Sequence, residues 1–255
     1  AELATIYPHT GGDFIYLLNV YGKLPAFLYG WICLTVTGCG SVAILALFSA
    51  KYLIPLPSHL SFANIGEIPA AIVIVIILTF LHCIRVTVGA RFQSLLTAFK
   101  VGGIIILALY FLNADIKPKI ISSIATENSW EGLTRALIPV YFAYTGWNCA
   151  GYIAGEVTNP GKTLPMAFIS GTAMVTSLYV LLNAGFLNVS GIQAMQGDPL
   201  VPITALEGLG QAKVVQLVHL LILVSVLSTL SIIIQTNARI LQSMGEQGVF
   251  FHKLS

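Results

Sequence analysis

Charge is what this sequence has least of. Of its 255 residues, 12 are Lys or Arg and 10 are Asp or Glu, together 9%, against 56% hydrophobic residues. So few charges cannot cover a water-exposed surface of this size, and a mean hydropathy of +0.88 points to an integral membrane protein. A net charge of +2, with no dense basic run, gives no reason to expect nucleic acid or a headgroup-binding patch. Cysteine is scarce too. Cys33, Cys39, Cys83 and Cys149 fall inside apolar stretches without C-x-x-C spacing, so they are expected to be free thiols acting as small hydrophobes. His9, His59, His82, His219 and His252 are scattered without metal-ligand spacing, and no nucleophile, base and oxyanion set can be assembled. The expectation is therefore no enzyme, no catalytic residue, no metal and no cofactor. A starting methionine and a leader with a cleavage site are also lacking, so the chain reads as cut at its front, without a visible targeting peptide.

What is present is a series of long uncharged runs: Ala26 to Ala50, Ile68 to Ile84, Ala136 to Gly155, Thr163 to Gly197 and Val214 to Ala238. Each is long enough, or nearly so, to cross a hydrocarbon core of about 30 Å as a helix. Membrane strands would instead alternate over about ten residues, so a barrel is excluded and the fold class is all-α, a single transmembrane domain over 1–255. Taken in order, Ala1 to Tyr7 reads as the tail of a span and the amphipathic Asp13 to Lys23 as a short interfacial segment or the lead-in of the next span. Pro25 opens a span to about Ala50. Lys51 to Pro69 is a turn-rich loop, Ile68 to Ile84 a span, Val86 to Ala90 a short loop and Phe92 to Ala114 a span. Asp115 to Trp130 is a loop. Thr163 is expected to cap a helix near Pro165 that spans to about Val189, and Ser190 to Lys213 is expected to be a Gly-rich loop. A final span runs from Val214 to about Arg239, followed by a mixed tail. Cations divide almost evenly between alternate loops. Lys23, Arg85, Arg91, Lys162, Arg239 and Lys253 on one face slightly outnumber Lys51, Lys117, Lys119, Arg135 and Lys213 on the other, a weak vote for the first face being cytoplasmic.

One run is a poor helix. Pro139 removes a backbone donor, Gly146, Gly151 and Gly155 each weaken a helix interior by about 1 kcal/mol, and Thr145 and Asn148 bring polar groups to membrane depth. Irregular backbone is tolerated in a membrane only where protein buries it or a wet cavity receives it, and in transporters such breaks hold the substrate. The alternative is packing, since Gly151 and Gly155 have G-x-x-x-G spacing.

Lys100 is the second unusual residue. It lies about eight residues into a span drawn from Phe92, roughly 12 Å down the axis, and its stem reaches about 6 Å. Either it snorkels to the interface or it is held in a low-dielectric interior that favours the neutral amine, where it would act as an ion-coupling group.

Phe142-Ala-Tyr-Thr-Gly-Trp-Asn148, followed by Glu156-Val-Thr-Asn-Pro-Gly-Lys-Thr-Leu-Pro165, closely resembles the sixth transmembrane helix and following loop of amino acid permeases of the APC superfamily, especially the L-type branch. Ala1-Glu-Leu, Gly11-Gly-Asp13 and Tyr21-Gly-Lys-Leu-Pro-Ala-Phe-Leu28 resemble the end of that family's second helix and the start of its third. The resemblance implies a truncated APC/LeuT-type inverted-repeat fold holding the tail of helix 2 and helices 3 to 8, with helix 1 and helices 9 to 12 absent. It implies alternating-access transport of amino acids across the cell's plasma or inner membrane, sodium-independent, by exchange or proton symport. Backbone carbonyls around Phe142, Ala143 and Thr145 would accept from the substrate ammonium, Phe142 would be the gating aromatic, and Asn148 would contact substrate. Tyr144 and Gly146 complete that substrate-binding set, Trp147 is expected to pack, and Lys100 matches a lysine standing where sodium sits in coupled relatives. A partner subunit is left open.

Thr145, Cys149 and Ala150 are small and Val140 to Gly155 holds no acid, so the expected cargo is a neutral amino acid, with no opposing charge near it except Lys100. A Gly146→Val change is expected to block binding by crowding the broken backbone. A polyamine or organic-cation carrier of the same superfamily, and a seven-helix receptor or scaffold that binds without flux, are the rival readings.

Overall fold

The protein, seen here as a computed structural model, is described over residues 2–53, 66–84, 86–113, 130–195, 201–208 and 210–251. The expected loop stretches at 54–65, 114–129 and 196–200, the tail at 252–255, and with them His59 and His252, lie outside the described residues. Every element among the described residues is helical. In order they are α1 (Glu2–Ile6), α2 (Asp13–Tyr21), α3 (Lys23–Ile32), a π-helical stretch (Cys33–Gly38), α4 (Cys39–Leu53), α5 (Glu67–Ile84), α6 (Val86–Asn113), α7 (Trp130–Ala143), α8 (Cys149–Tyr152), a 3-10 turn (Ala154–Glu156), α9 (Pro160–Met195), α10 (Val201–Gly208) and α11 (Ala212–Glu246).

Among the described residues, four helices are long and apolar enough to cross a membrane: Lys23–Leu53, Gly89–Asn113, Pro160–Gly191 and Lys213–Glu246, with Glu67–Cys83 a shorter apolar helix beside them. The all-α expectation therefore holds, and several boundaries move. The stretch 86–90, expected as a loop, is the first turn of α6, because Arg85 and Arg91 mark an interface but nothing there breaks a helix. The loop expected from Ser190 carries helix to Met195, bent at Gly191 (φ 72°), and then α10. The tail expected from Ile240 is helical to Glu246. Thr163 does not cap the helix after the break. That helix begins at Pro160, where a missing N–H costs nothing, and the Thr163 hydroxyl donates to Thr158 O at 2.9 Å.

α11 is the axis of the bundle. It packs against α4 and α6 along most of its length and touches α2, α3, α5, α8 and α10. Its sequence suits that place. Leu230 and Met244 are fully buried, and of its buried serines Ser228 meets Gln93, Ser231 meets His82 and Ser243 lies against Gly11. Phe14, Ile15, Ala26, Tyr152, Ile240 and Met244 make one buried cluster, which joins α2 and α3 to α8 and the end of α11. This cluster fixes the second half of the broken helix.

Gly38, at the end of the π-helical stretch, faces Asn237 of α11 so closely that an added Cβ would overlap the amide. A Gly38→Leu variant of the full-length protein should melt several degrees lower in detergent, since overpacking costs about 1–3 kcal/mol. An unchanged melting temperature would show that the seam yields.

Candidate functional site

The interruption expected between Ala136 and Gly155 is real. α7 ends at Ala143, Tyr144 N still donates to Val140 O at 3.2 Å, and Thr145 then closes the turn on Phe142 O through its amide (3.2 Å) and its hydroxyl (2.7 Å). A threonine bonding the backbone locally in this way competes with helix continuation. Gly146 takes φ +88°, a conformation closed to most side chains, and α8 starts three residues later with Cys149 N donating to Gly146 O at 3.1 Å.

A cavity of about 580 Å³ opens at the break, lined by Leu137, Val140, Tyr141, Tyr144, Thr145, Gly146, Trp147 and Asn148. Four of the six proposed binding residues are thus brought to one cavity: Tyr144, Thr145, Gly146 and Asn148. Phe142 and Ala143 are not among its walls. Phe142 is exposed and lies edge-on to Tyr141, their ring centroids 5.8 Å apart. The Ala143 carbonyl accepts from the Tyr179 hydroxyl at 2.9 Å, and the Phe142 carbonyl is taken by Thr145, which leaves the Thr145 carbonyl as the least engaged of the three expected to meet an ammonium group. Trp147 packs edge-on to Phe168 at 6.0 Å yet remains largely exposed and lines two cavities. Gly151 and Gly155 do the packing work of the segment: Tyr16 sits over Gly151 and Thr10 over Gly155.

Acids reach the site from outside the broken helix. A second cavity of about 430 Å³ shares Trp147 and Asn148 with the first and adds Glu2, Asp13, Tyr16 and Phe168. The expectation of no opposing charge except Lys100 is therefore corrected: α1 and α2 bring two carboxylates beside Asn148. Asp13 is the centre of a compact network. Its Oδ2 accepts from Asn148 Nδ2 at 2.6 Å, from the Tyr152 hydroxyl at 3.0 Å and from the Tyr29 hydroxyl at 3.1 Å, while the two tyrosine hydroxyls lie 2.8 Å apart. At the end of the 3-10 turn, Glu156 Oε1 pairs with Arg239 Nε of α11 at 2.6 Å, and Arg239 Nη1 donates to Gln242 Oε1 at 3.2 Å. Sequence reasoning named none of Asp13, Tyr29, Tyr152, Glu156 or Arg239 as site residues. The signal available was an acid set beside Gly11-Gly12 in otherwise apolar surroundings.

Lys100 lies midway between Val86 and Asn113 on α6, about 20 Å from either helix end, well beyond the ~6 Å reach of its stem. Among the described residues no carboxylate pairs with it, and it lines neither cavity at the break. His82 and His219 are engaged singly, by Ser231 Oγ at 2.8 Å and Val215 O at 3.0 Å. Among the described residues no group of three or more His, Cys, Asp or Glu could hold a metal ion. All four cysteines are free.

An all-helical bundle with several membrane-length helices, and beside them an interrupted helix with a cavity at its break, defines a multi-pass membrane protein. The chain belongs to the amino acid permease family, whose characteristic sequence pattern it matches over residues 1–255. It is 32% identical over 199 residues to the b(0,+)-type amino acid transporter 1 of Mus musculus, covering 74% of this chain and 40% of that protein. To the human cystine/glutamate transporter it is 29% identical over 216 residues, covering 82% and 43%. To the serine/threonine exchanger SteT of Bacillus subtilis (strain 168) it is 30% identical over 192 residues, covering 74% and 42%. The chain thus spans about two fifths of the length of these relatives. They are named as transporters and not as enzymes, and the L-type resemblance read from the motifs is the one they bear out.

Proposed function

We propose that this chain is the part of a secondary transporter that carries half of an amino acid site, and that the whole protein moves neutral amino acids across a membrane by alternating access. The observation that carries the reading is the interruption from Tyr144 to Asn148, with a cavity of about 580 Å³ against it. The end of α7 leaves carbonyls without intrahelical partners, and the negative end of a helix attracts a cation. In this reading the substrate ammonium sits by the Thr145 carbonyl, its side chain lies toward Asn148, and Lys100 couples the cycle to a proton or is a fixed charge in an exchanger. No sodium is required.

A second reading has an observation in its favour. Glu2 and Asp13 line the adjoining cavity, and two carboxylates suit an organic cation or a basic amino acid. Competition for uptake decides between them. In proteoliposomes holding the full-length protein, unlabelled neutral amino acids should reduce uptake of a labelled neutral amino acid at least tenfold, while lysine, arginine and polyamines at the same concentration leave it unchanged. Strong competition by arginine would replace the neutral reading with the cationic one. Saturable binding without uptake of any amino acid would support a receptor.

A further inference from the structure

We propose that Asp13 is a positioning residue that turns the Asn148 side chain so that the site offers a hydrogen-bond acceptor, selecting neutral amino acids whose short side chain donates a hydrogen bond. The inference rests on the reading of this cavity as an amino acid site.

A carboxylate accepts hydrogen bonds and donates none, so the Asn148 atom 2.6 Å from Asp13 Oδ2 is its amide nitrogen. The same nitrogen reaches the Tyr152 hydroxyl at 3.4 Å, so both of its protons are directed into the network. Tyr29 and Tyr152 hold the acceptor in place. Their two hydroxyl protons serve three contacts, two to Asp13 Oδ2 and one between themselves, so the carboxylate stays in contact with a donor whichever hydroxyl turns. With the nitrogen committed, Oδ1 is the remaining polar atom of Asn148, and no donor among the described residues bonds to it. Asn148 is half-buried and shared by both cavities. An amide left free would present either face to the cargo. Fixed by Asp13, it presents oxygen. Since the substrate ammonium is assigned to the carbonyls at the end of α7, the donor that meets Oδ1 belongs to the cargo's side chain. Thr145, Gly146 and Cys149 around the break leave room for a short one.

Serine and O-methylserine differ in that one hydroxyl donor and in one methyl group, and alanine, smaller than either, serves as the reference without the donor. Their inhibition constants against uptake of a labelled neutral amino acid are measured with the full-length protein in proteoliposomes. The wild type should prefer serine to O-methylserine at least tenfold. In Asp13→Asn the neighbouring amides can pair either way round, so the preference should fall to within threefold while the maximal rate changes less than the affinity ratio. Asp13→Glu, which restores an acceptor-only partner, should recover most of it. Equal inhibition by serine and O-methylserine in the wild type would overturn the proposal without need of any variant, as would an Asp13→Asn protein that keeps the tenfold preference. A wild-type protein that takes up no amino acid would instead remove the underlying reading of the site. Because the measured quantity is a ratio, a general loss of folded Asp13→Asn protein does not imitate the expected result.

Discussion

Gly146→Val removes substrate binding by the full-length protein, measured as saturable binding of a labelled amino acid in detergent, and Gly146→Asn retains more of it than Gly146→Ala. The order follows from the cause. At sequence level the harm was expected from crowding, but a Cβ at Gly146 would meet only Cys149 Sγ, at an ordinary 3.7 Å. The obstacle is the backbone. Gly146 has φ +88°, where a β-branched residue is an outlier and even alanine is strained, whereas asparagine tolerates positive φ best among the non-glycine residues. Holding valine there costs about 1–3 kcal/mol, and relaxing it instead rotates Thr145 and Asn148 out of the cavity wall. Binding that followed side-chain size, with alanine best, would return the explanation to crowding.

The second large effect belongs to Lys100. Lys100→Ala in the full-length protein should lower uptake at least tenfold or abolish its pH dependence, with an unchanged monodisperse peak on size exclusion. Lys100→Arg separates the two roles this residue can play. Arginine keeps the charge but does not release its proton at accessible pH, so it preserves an exchanger that needs a fixed cation and stops a cycle that needs proton release. The position supports a functional group over a snorkelling one. α6 starts at Val86 rather than Phe92, which sets Lys100 deeper than the sequence suggested, and no described carboxylate offsets the cost of keeping it there. Normal uptake and a normal pH profile in both variants would reduce Lys100 to a tolerated surface cation.

What could be read in advance was whatever depends on neighbours along the chain. Apolar runs gave the spans, because the bilayer requires about twenty such residues wherever a helix crosses it. Thr145 and Gly146 gave the interruption, because each acts on its own backbone, whereas α7 runs through Pro139 to Ala143. The stretch 86–90 was misplaced because Arg85 and Arg91 signal an interface, and an interface was taken for a loop, although α6 already runs through 86–90. The network around Asp13 was not legible. Its bond to Asn148 spans 135 residues and that to Tyr152 spans 139, and an acid beside Gly11-Gly12 does not by itself say which distant residues it meets. Of the two explanations weighed for the broken run, packing accounts for only part of it. Gly151 and Gly155 are packing glycines under Tyr16 and Thr10, and Gly146 is the one whose backbone needs to be glycine.

The broken helix has a mechanical consequence. On the near side of Gly146 its anchors lie on α9, where the Tyr144 hydroxyl donates to Thr176 Oγ1 at 3.1 Å and the Tyr179 hydroxyl holds the Ala143 carbonyl. On the far side the polar anchors lie elsewhere, Asp13 of α2 and Tyr29 of α3 gripping Asn148 and Tyr152 and Arg239 of α11 gripping Glu156, while Trp147 and Ala154 pack against Phe168 and Leu164 of α9. The polar moorings of the two lengths thus lie on different helices, with a single left-handed residue between them. Rotation about the two backbone bonds of Gly146 would alter the angle between those lengths, and with it the cavity wall at Thr145 and Asn148.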